Sequence, residues 1–171
     1  MTRTVVYDII QVMIHAKESD FEKVKEIFYQ HKKWFPHVRT DYMKRMIASG
    51  NLILDNDVII TYNYYKKGYR TNMLITPLEN HGMQSKEKVK MQFNDCILHQ
   101  IVAKTKGTAS DVLQRFFKWT ERRVFLSVRS DNEIARKFYL KNNMKLVGTT
   151  AWARHTIPGD VFVYDPWTYE T

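Results

Sequence analysis

Two short stretches carry side chains that could do chemistry. In KTKGTAS, Gly107 frees the backbone, Thr108, Ala109 and Ser110 are small, and Lys104 and Lys106 bring charge. Such a loop running into a helix suits an anion. The first N–H groups of a helix lack intrahelical partners and sit at the positive end of its dipole. An ordinary glycine-containing loop with Ser110 as the helix cap fits the same letters. The loop is neither a Walker loop nor a dinucleotide fingerprint, because the further glycines and the Lys-Ser/Thr pair are missing. In SDNEIARKFYLKNN, Asn132 falls in the first turn of a helix, where its amide offers both a donor and an acceptor. Tyr139 falls at the rim of the apolar face, where a phenol either packs or gives a proton to a leaving group. Groups that could accept a proton are Asp95 and His99 in NDCILHQIVA, and His37 and Asp41 in FPHVRTDY. Residue type alone does not choose among them, and His99 equally suits a packed, hydrogen-bonded role. WFPHVRTDY interleaves aromatics with His37 and Arg39. That mixture suits stacking on a base beside a phosphate, or a packed helix with a solvated edge.

These groups need a scaffold, and the apolar periodicity supplies one. Residues 4–14, TVVYDIIQVMI, are rich in β-branched side chains and read as a buried strand. A helix follows, with Ser19 and Glu22 at capping-box spacing and Phe21, Val24, Ile27 and Phe28 on one face. Pro36 breaks the chain, Thr40 or Asp41 caps a second helix, and Gly50 ends it. NLILDNDVIITYNYY reads as a hairpin turning at DND, and residues 66–90 as loop. MQFNDCILHQIVA reads as a long central strand. Val112, Leu113, Phe116 and Phe117 mark a third helix. After the strand VFLSVR, Ser130 and Glu133 repeat the capping-box spacing, so a last helix starts near Asp131 with Ile134, Ala135 and Phe138 buried. MKLVGTTAWARH and DVFVYDP close the chain as strands. This order gives a single α/β (α+β) domain over residues 1–171, built around one sheet.

Composition narrows the partners. The 171 residues are 44% hydrophobic and 13% aromatic, which suits one globular domain with a real core. A net charge of +9, spread along the chain, favours polyanions or phosphorylated co-substrates, or is a solvated basic surface. Cys96 is the one cysteine, so no intrachain disulfide forms, and its apolar surroundings suit core packing. No apolar run approaches a membrane span, and Asp8 and Gln11 interrupt the N-terminal apolar stretch, so a cytoplasmic protein is expected. AWARHTIPGDVFVYDPWTY caps the core or forms a homodimer contact.

KTKGTA and NEIARKFYLKNNMKLVG together resemble the GCN5-related N-acetyltransferase (GNAT) superfamily. That family has a central strand, an Arg/Gln-x-x-Gly-x-Gly/Ala loop and a helix, then an Asn…Ala…Phe-Tyr…Lys…Gly-Phe signature. Lys104, Gly107 and Ala109 match the first pattern, with Lys in place of Arg/Gln. Asn132, Ala135, Phe138, Tyr139 and Lys141 match the second, with Asn143 and Met144 in place of Gly-Phe. The likeness covers residues 94–148. It implies a mixed, mostly antiparallel central sheet flanked by helices. It also implies an acyl-CoA-dependent N-acyltransferase that takes acetyl-CoA as co-substrate and lets a primary amine attack directly in a ternary complex. On this reading Val102 or Ala103 polarises the thioester carbonyl through a strand N–H. Lys104, Lys106, Gly107, Thr108, Ala109 and Ser110 hold the pyrophosphate. Asn132 holds the pantetheine arm or the helix-proximal backbone, and Tyr139 protonates the departing thiolate. Asp95 or His99 would be the base, with His37, Arg39 and Asp41 on the acceptor side; no metal is implied. FPHVRTDYMKRMIASGN with DVIITYNYYKK is also similar to acetyltransferase-like proteins of phages, which would place the chain in an infected bacterial cell. Phages carry Mom-type nucleobase-modifying proteins resembling the same superfamily. Two further readings therefore stand: a Mom-like enzyme acting on DNA or RNA, and a non-catalytic nucleic-acid-binding domain.

Overall fold

A computed structural model describes residues 12–66, 75–78, 89–152 and 156–167. Its strands are β1 Leu52–Asp55, β2 Val58–Tyr64, β3 Cys96–Ala103, β4 Val124–Arg129, β5 Lys145–Trp152 and β6 Ile157–Tyr164. They form one sheet in the order β1-β2-β3-β4-β6-β5. Flanking helices are α1 Phe21–Gln30, α2 Thr40–Ala48, α3 Ala109–Thr120 and α4 Glu133–Lys141. β3 and β4 pair in parallel, whereas β1–β2, β4–β6 and β5–β6 are antiparallel. The expected α/β class with a mostly antiparallel sheet is therefore what forms. The chain folds as two compact units, residues 1–63 with 98–121 and residues 64–97 with 122–171. β3 begins in the second and ends in the first. Among the described residues no helix is long and apolar enough to cross a membrane, and no three His, Cys, Asp or Glu side chains are grouped to hold a metal ion.

In the first unit the hairpin turns where DND predicted. Asp55 faces Val58 across the turn, and Asn56 and Asp57 have φ of 49° and 58°, the left-handed pair that a two-residue type I′ turn requires. Residues 4–11 of the expected N-terminal strand lie outside the described residues. The chain from Val12 to Ala16 runs along β1 through Ala16 N–H to Leu52 O at 2.9 Å and Leu54 N–H to Ile14 O at 3.0 Å. Neither helix start uses the expected cap. Before α1, the Asp20 carboxylate accepts the Lys17 N–H at 2.8 Å, displacing the Ser19–Glu22 box. Before α2, Arg39 holds the cap position with no side-chain bond, so Thr40 and Asp41 lie inside the helix. Gly50, at φ 75°, ends that segment as expected. Val24, Ile27 and Phe28 of α1 and Met43 and Met46 of α2 bury against Leu52, Ile59 and Val102. α3 covers the opposite sheet face, where the Tyr62 ring lies 5.4 Å from Phe116. Each large side chain fully buried this way contributes about 1.5–3 kcal/mol.

In the second unit β4 lies between the first residues of β3 and β6, and β5 closes on β6 with a register shift between Leu146 and Gly148. Cys96 is fully buried and burial raises its thiol pKa, so it packs as core rather than acting as a nucleophile. The stretch expected as loop over residues 66–90 lies mostly outside the described residues. Its described part includes Thr76, which exchanges two 2.8 Å backbone bonds with Thr149. That pairing makes Gly148 a close approach. A Cβ there would meet Ile75 Cγ2 and lie 2.5 Å from the Thr76 carbonyl oxygen. Gly148→Ala is expected to lose roughly 1–3 kcal/mol, because a paired backbone cannot retreat. Urea unfolding should show a lower midpoint at an unchanged slope. An unchanged midpoint would mean that the 75–78 segment yields.

Candidate active site

The loop after β3 is pinned at its first residue. Lys104 N–H donates to Asp57 O at 3.0 Å, so the chain leaves the strand tied to the hairpin tip. Gly107 then takes φ 93°, a left-handed value that an L side chain rarely adopts, and a Cβ there would point into open space. Thr108 stands at the cap position of α3 but spends its hydroxyl on Thr105 O at 2.8 Å. No side chain from the cap position therefore satisfies the first N–H groups of the helix. Lys104 and Lys106 are exposed beside that turn. The arrangement can hold an anion by backbone N–H groups, the helix dipole and two ammonium groups at once.

Beside the loop lies a 480 Å³ cleft lined by the α1 end, the turn after that helix, and the end of β3. Its walls are Gln30, His31, Phe35, Ile101, Val102, Ala103, Lys104 and Lys106. Val102 and Ala103, expected to work through their backbone, thus reach the cleft together with both loop lysines. His31 was not foreseen. Its Nε2 donates to Ala103 O at 3.1 Å, which fixes the tautomer and leaves Nδ1 as the ring's acceptor. In the sequence it stands in HKKW at a helix end, and only the fold brings it to the strand.

The expected bases are engaged or lie elsewhere. In the second unit, the Asp95 carboxylate accepts from Arg123 Nη2 at 2.5 Å, Arg123 Nε at 3.1 Å and the Gln92 N–H at 2.6 Å. That clasp makes Asp95 a buried structural anion, not a free base. In the first unit, His99 donates from Nε2 to Asn63 Oδ1 at 2.9 Å. Burial disfavours its charged form and lowers its pKa to about 4. His37, Arg39 and Asp41 are exposed and do not line the cleft.

Asn132 and Tyr139 belong to the second unit. The α4 cap is Asn132 itself, whose Oδ1 accepts from Ala135 N–H at 3.2 Å, and the helix starts at Glu133. Ser130, expected to cap, instead donates to Asp160 Oδ1 at 2.8 Å. The buried face is also rotated from the expected stripe. Ile134 is 83% exposed, while Tyr139 is 8% exposed, with its ring 5.8 Å from Phe162. Burial pushes the Tyr139 phenol above its ordinary range, so it keeps its proton at working pH.

His99 gives stability a pH dependence of known sign. Its folded pKa of about 4 lies below the ordinary 6.5, so the unfolded chain binds protons more readily between those values. Stability from the neutral ring is full above pH 6.5 and is lost as pH falls toward 4, by up to about 3 kcal/mol. Urea unfolding at pH 7 and at pH 4.5 should show this loss, with a shallower dependence in His99→Gln. Equal dependence in both proteins would mean that the ring accommodates charge in place.

No protein-family model matches the sequence, and no curated protein does. Solved structures do match. A GNAT-family acetyltransferase from Bacillus cereus ATCC 10987 is 17% identical at a TM-score of 0.63, over 90% of this chain and 96% of that one. A GNAT-family acetyltransferase from Streptococcus agalactiae 2603 is 8% identical at 0.66, over 90% and 94%. Arabidopsis thaliana NAA60, solved in complex with acetyl-CoA, is 14% identical at 0.56, over 91% and 97%. At such identities the likeness is one of architecture: this chain has the fold of the GNAT-family acetyltransferases.

Proposed function

We propose that the chain is an acyl-CoA-dependent N-acyltransferase, one domain over residues 1–171, with acetyl-CoA as donor and a primary amine as acceptor. The β3–loop–α3 turn supports this reading. It joins a left-handed Gly107, a helix start with no side chain from its cap position, and exposed Lys104 and Lys106 in a GNAT fold. NAA60 was solved with acetyl-CoA, and the NatC complex, another structural match at a TM-score of 0.57, with CoA. Lys104, Lys106 and the backbone from Gly107 to Ser110 would hold the pyrophosphate. The strand end at Val102 and Ala103 would orient the thioester and stabilise its carbonyl oxygen as charge develops.

His31 is the base this reading favours. It lines the cleft at that strand end, and its bond to Ala103 O orients Nδ1 as an acceptor. As the amine nitrogen bonds to the acyl carbon, its proton passes to the base and the carbon–sulfur bond breaks. Tyr139, the proton donor that the family resemblance implies, keeps its phenol protonated in its buried place on α4 of the second unit, where Asn132 caps the helix.

Acetyl-CoA at about 100 times its dissociation constant should add roughly 2.7 kcal/mol, a rise in Tm of about 5–10 °C for a chain of this size. Gly107→Val, which strains the turn, and Lys106→Glu, which does not, should both remove most of that shift. No shift in the wild type would sink the reading. His31→Gln should lower kcat by about 10²-fold and leave the acetyl-CoA shift intact. Full activity in that variant would return the base to another group.

A further inference from the structure

Arg115, Arg123, Arg129 and Arg136 each sit on a carboxylate: Asp55, Asp95, Asp131 and Asp160. The connection from α1 to α2 is built differently. Residues 27–40 contain no Asp or Glu, yet they hold His31, Lys32, Lys33, His37 and Arg39. Lys32, Lys33, His37 and Arg39 are exposed, as are Lys44 and Arg45 on α2. Among the described residues, the ion pairs leave out all five of Lys32, Lys33, Arg39, Lys44 and Arg45. Aromatic faces steady three of these cations without neutralising them. Lys33 lies 5.0 Å from the Trp34 ring centre, Lys44 4.8 Å from Phe21 and Arg45 5.6 Å from Tyr42. The same connection supplies His31 and Phe35 to the cleft.

We propose that this cationic lip docks a polynucleotide and that the acceptor amine is carried on it, an inference that rests on the N-acyltransferase reading above. Unneutralised lysines and arginines interleaved with aromatics fit a phosphodiester backbone with its bases beside it. The cleft lining points the same way. It holds no carboxylate that could pair with an ammonium acceptor. An exocyclic base amine is uncharged at neutral pH and needs no such partner. In the transfer its nitrogen bonds to the acetyl carbon, the carbon–sulfur bond breaks, the amine proton goes to the base, and CoA leaves as the thiolate.

The test is fluorescence anisotropy with a labelled single-stranded DNA of about 20 nucleotides, across a salt series. It compares wild type, Lys32→Glu/Lys33→Glu, and a charge-matched control, Lys118→Glu/Lys137→Glu, at exposed lysines on α3 and α4. The lip variant should bind at least about tenfold more weakly, with a salt slope smaller by about 1.4 for two lost phosphate contacts. The control should lose less than about twofold. Equal losses in both variants, or no binding by the wild type, would overturn the docking surface. Polyglutamate competing as well as an unlabelled oligonucleotide would overturn it in favour of an acidic protein. Incubation with acetyl-CoA should add one acetyl mass to nucleosides from the bound strand, and a bound strand that gains none overturns its role as acceptor. The acetyl-CoA thermal shift, measured on the same three proteins, reads the acyltransferase separately. Its absence in the wild type sinks that reading and with it the strand's role as acceptor, leaving the docking surface to the anisotropy, and its presence without DNA binding sinks only the lip.

Discussion

The backbone bond from Lys104 N–H to Asp57 O is the constraint on which the first unit's chemistry rests. It fixes where β3 ends, and so where the loop begins its turn toward α3. The acceptor of that bond sits at the tip of a hairpin whose two turn residues are both left-handed, a conformation that Asn and Asp tolerate better than most side chains. The Asp57 carboxylate is itself held by Lys23 of α1 at 2.5 Å. Helix, hairpin tip and loop therefore meet at one residue. The ion pair is solvated and weak on its own, but it aims the turn. The carbonyl does the positioning.

The second constraint lies one residue back along the strand. Ala103 O accepts from His31, which turns a strand-end carbonyl into the device that orients an imidazole in the cleft. The three other polar groups along this strand or beside it are already spoken for. Gln100 Oε1 accepts from Tyr42 at 2.9 Å and from Thr61, His99 bonds Asn63, and Asp95 is clasped by Arg123. Each of those bonds satisfies a buried or half-buried polar atom whose exposure to apolar surroundings would otherwise be costly. Strand chemistry here divides cleanly. Side chains whose partners are complete hold the sheet, and the groups at the strand's end face the cleft.

Much of the fold was legible because its signals are local. DND between two β-branched runs could hardly be anything but a hairpin turn. The spacing of Val112, Leu113, Phe116 and Phe117 set α3, whose four marker residues are all buried. Capping was less legible because it is a competition. Ser19 and Ser130 had the right spacing, but Asp20 and Asn132 made the bonds, and Ser130 found a better partner in Asp160. The buried face of α4 was misjudged by one position for a related reason. Hydrophobicity picked Ile134, while packing against Phe162 selected Tyr139. His31 was invisible for the opposite reason. Its partner lies 72 residues away, and no periodicity in the sequence encodes such a pairing.

The end of α4 shows a left-handed helix termination built without glycine. Where the family pattern has Gly-Phe, this chain has Asn143 and Met144. Asn143 takes φ 67°, the left-handed position that glycine commonly fills just past a helix end, and asparagine is among the few other residues that visit it readily. Met144 is buried, and its N–H donates to Tyr139 O at 3.1 Å. Asn142 Nδ2 adds a bond to Phe138 O at 2.8 Å. Two of the last helical carbonyls are thus satisfied at the residues that carry the motif's aromatic pair. Those bonds hold Tyr139 at the end of this helix without glycine. The lysine at position 104 can be understood in the same way. Its backbone N–H makes the bond that shapes the loop, which any residue but proline could supply, and its side chain is left to provide charge.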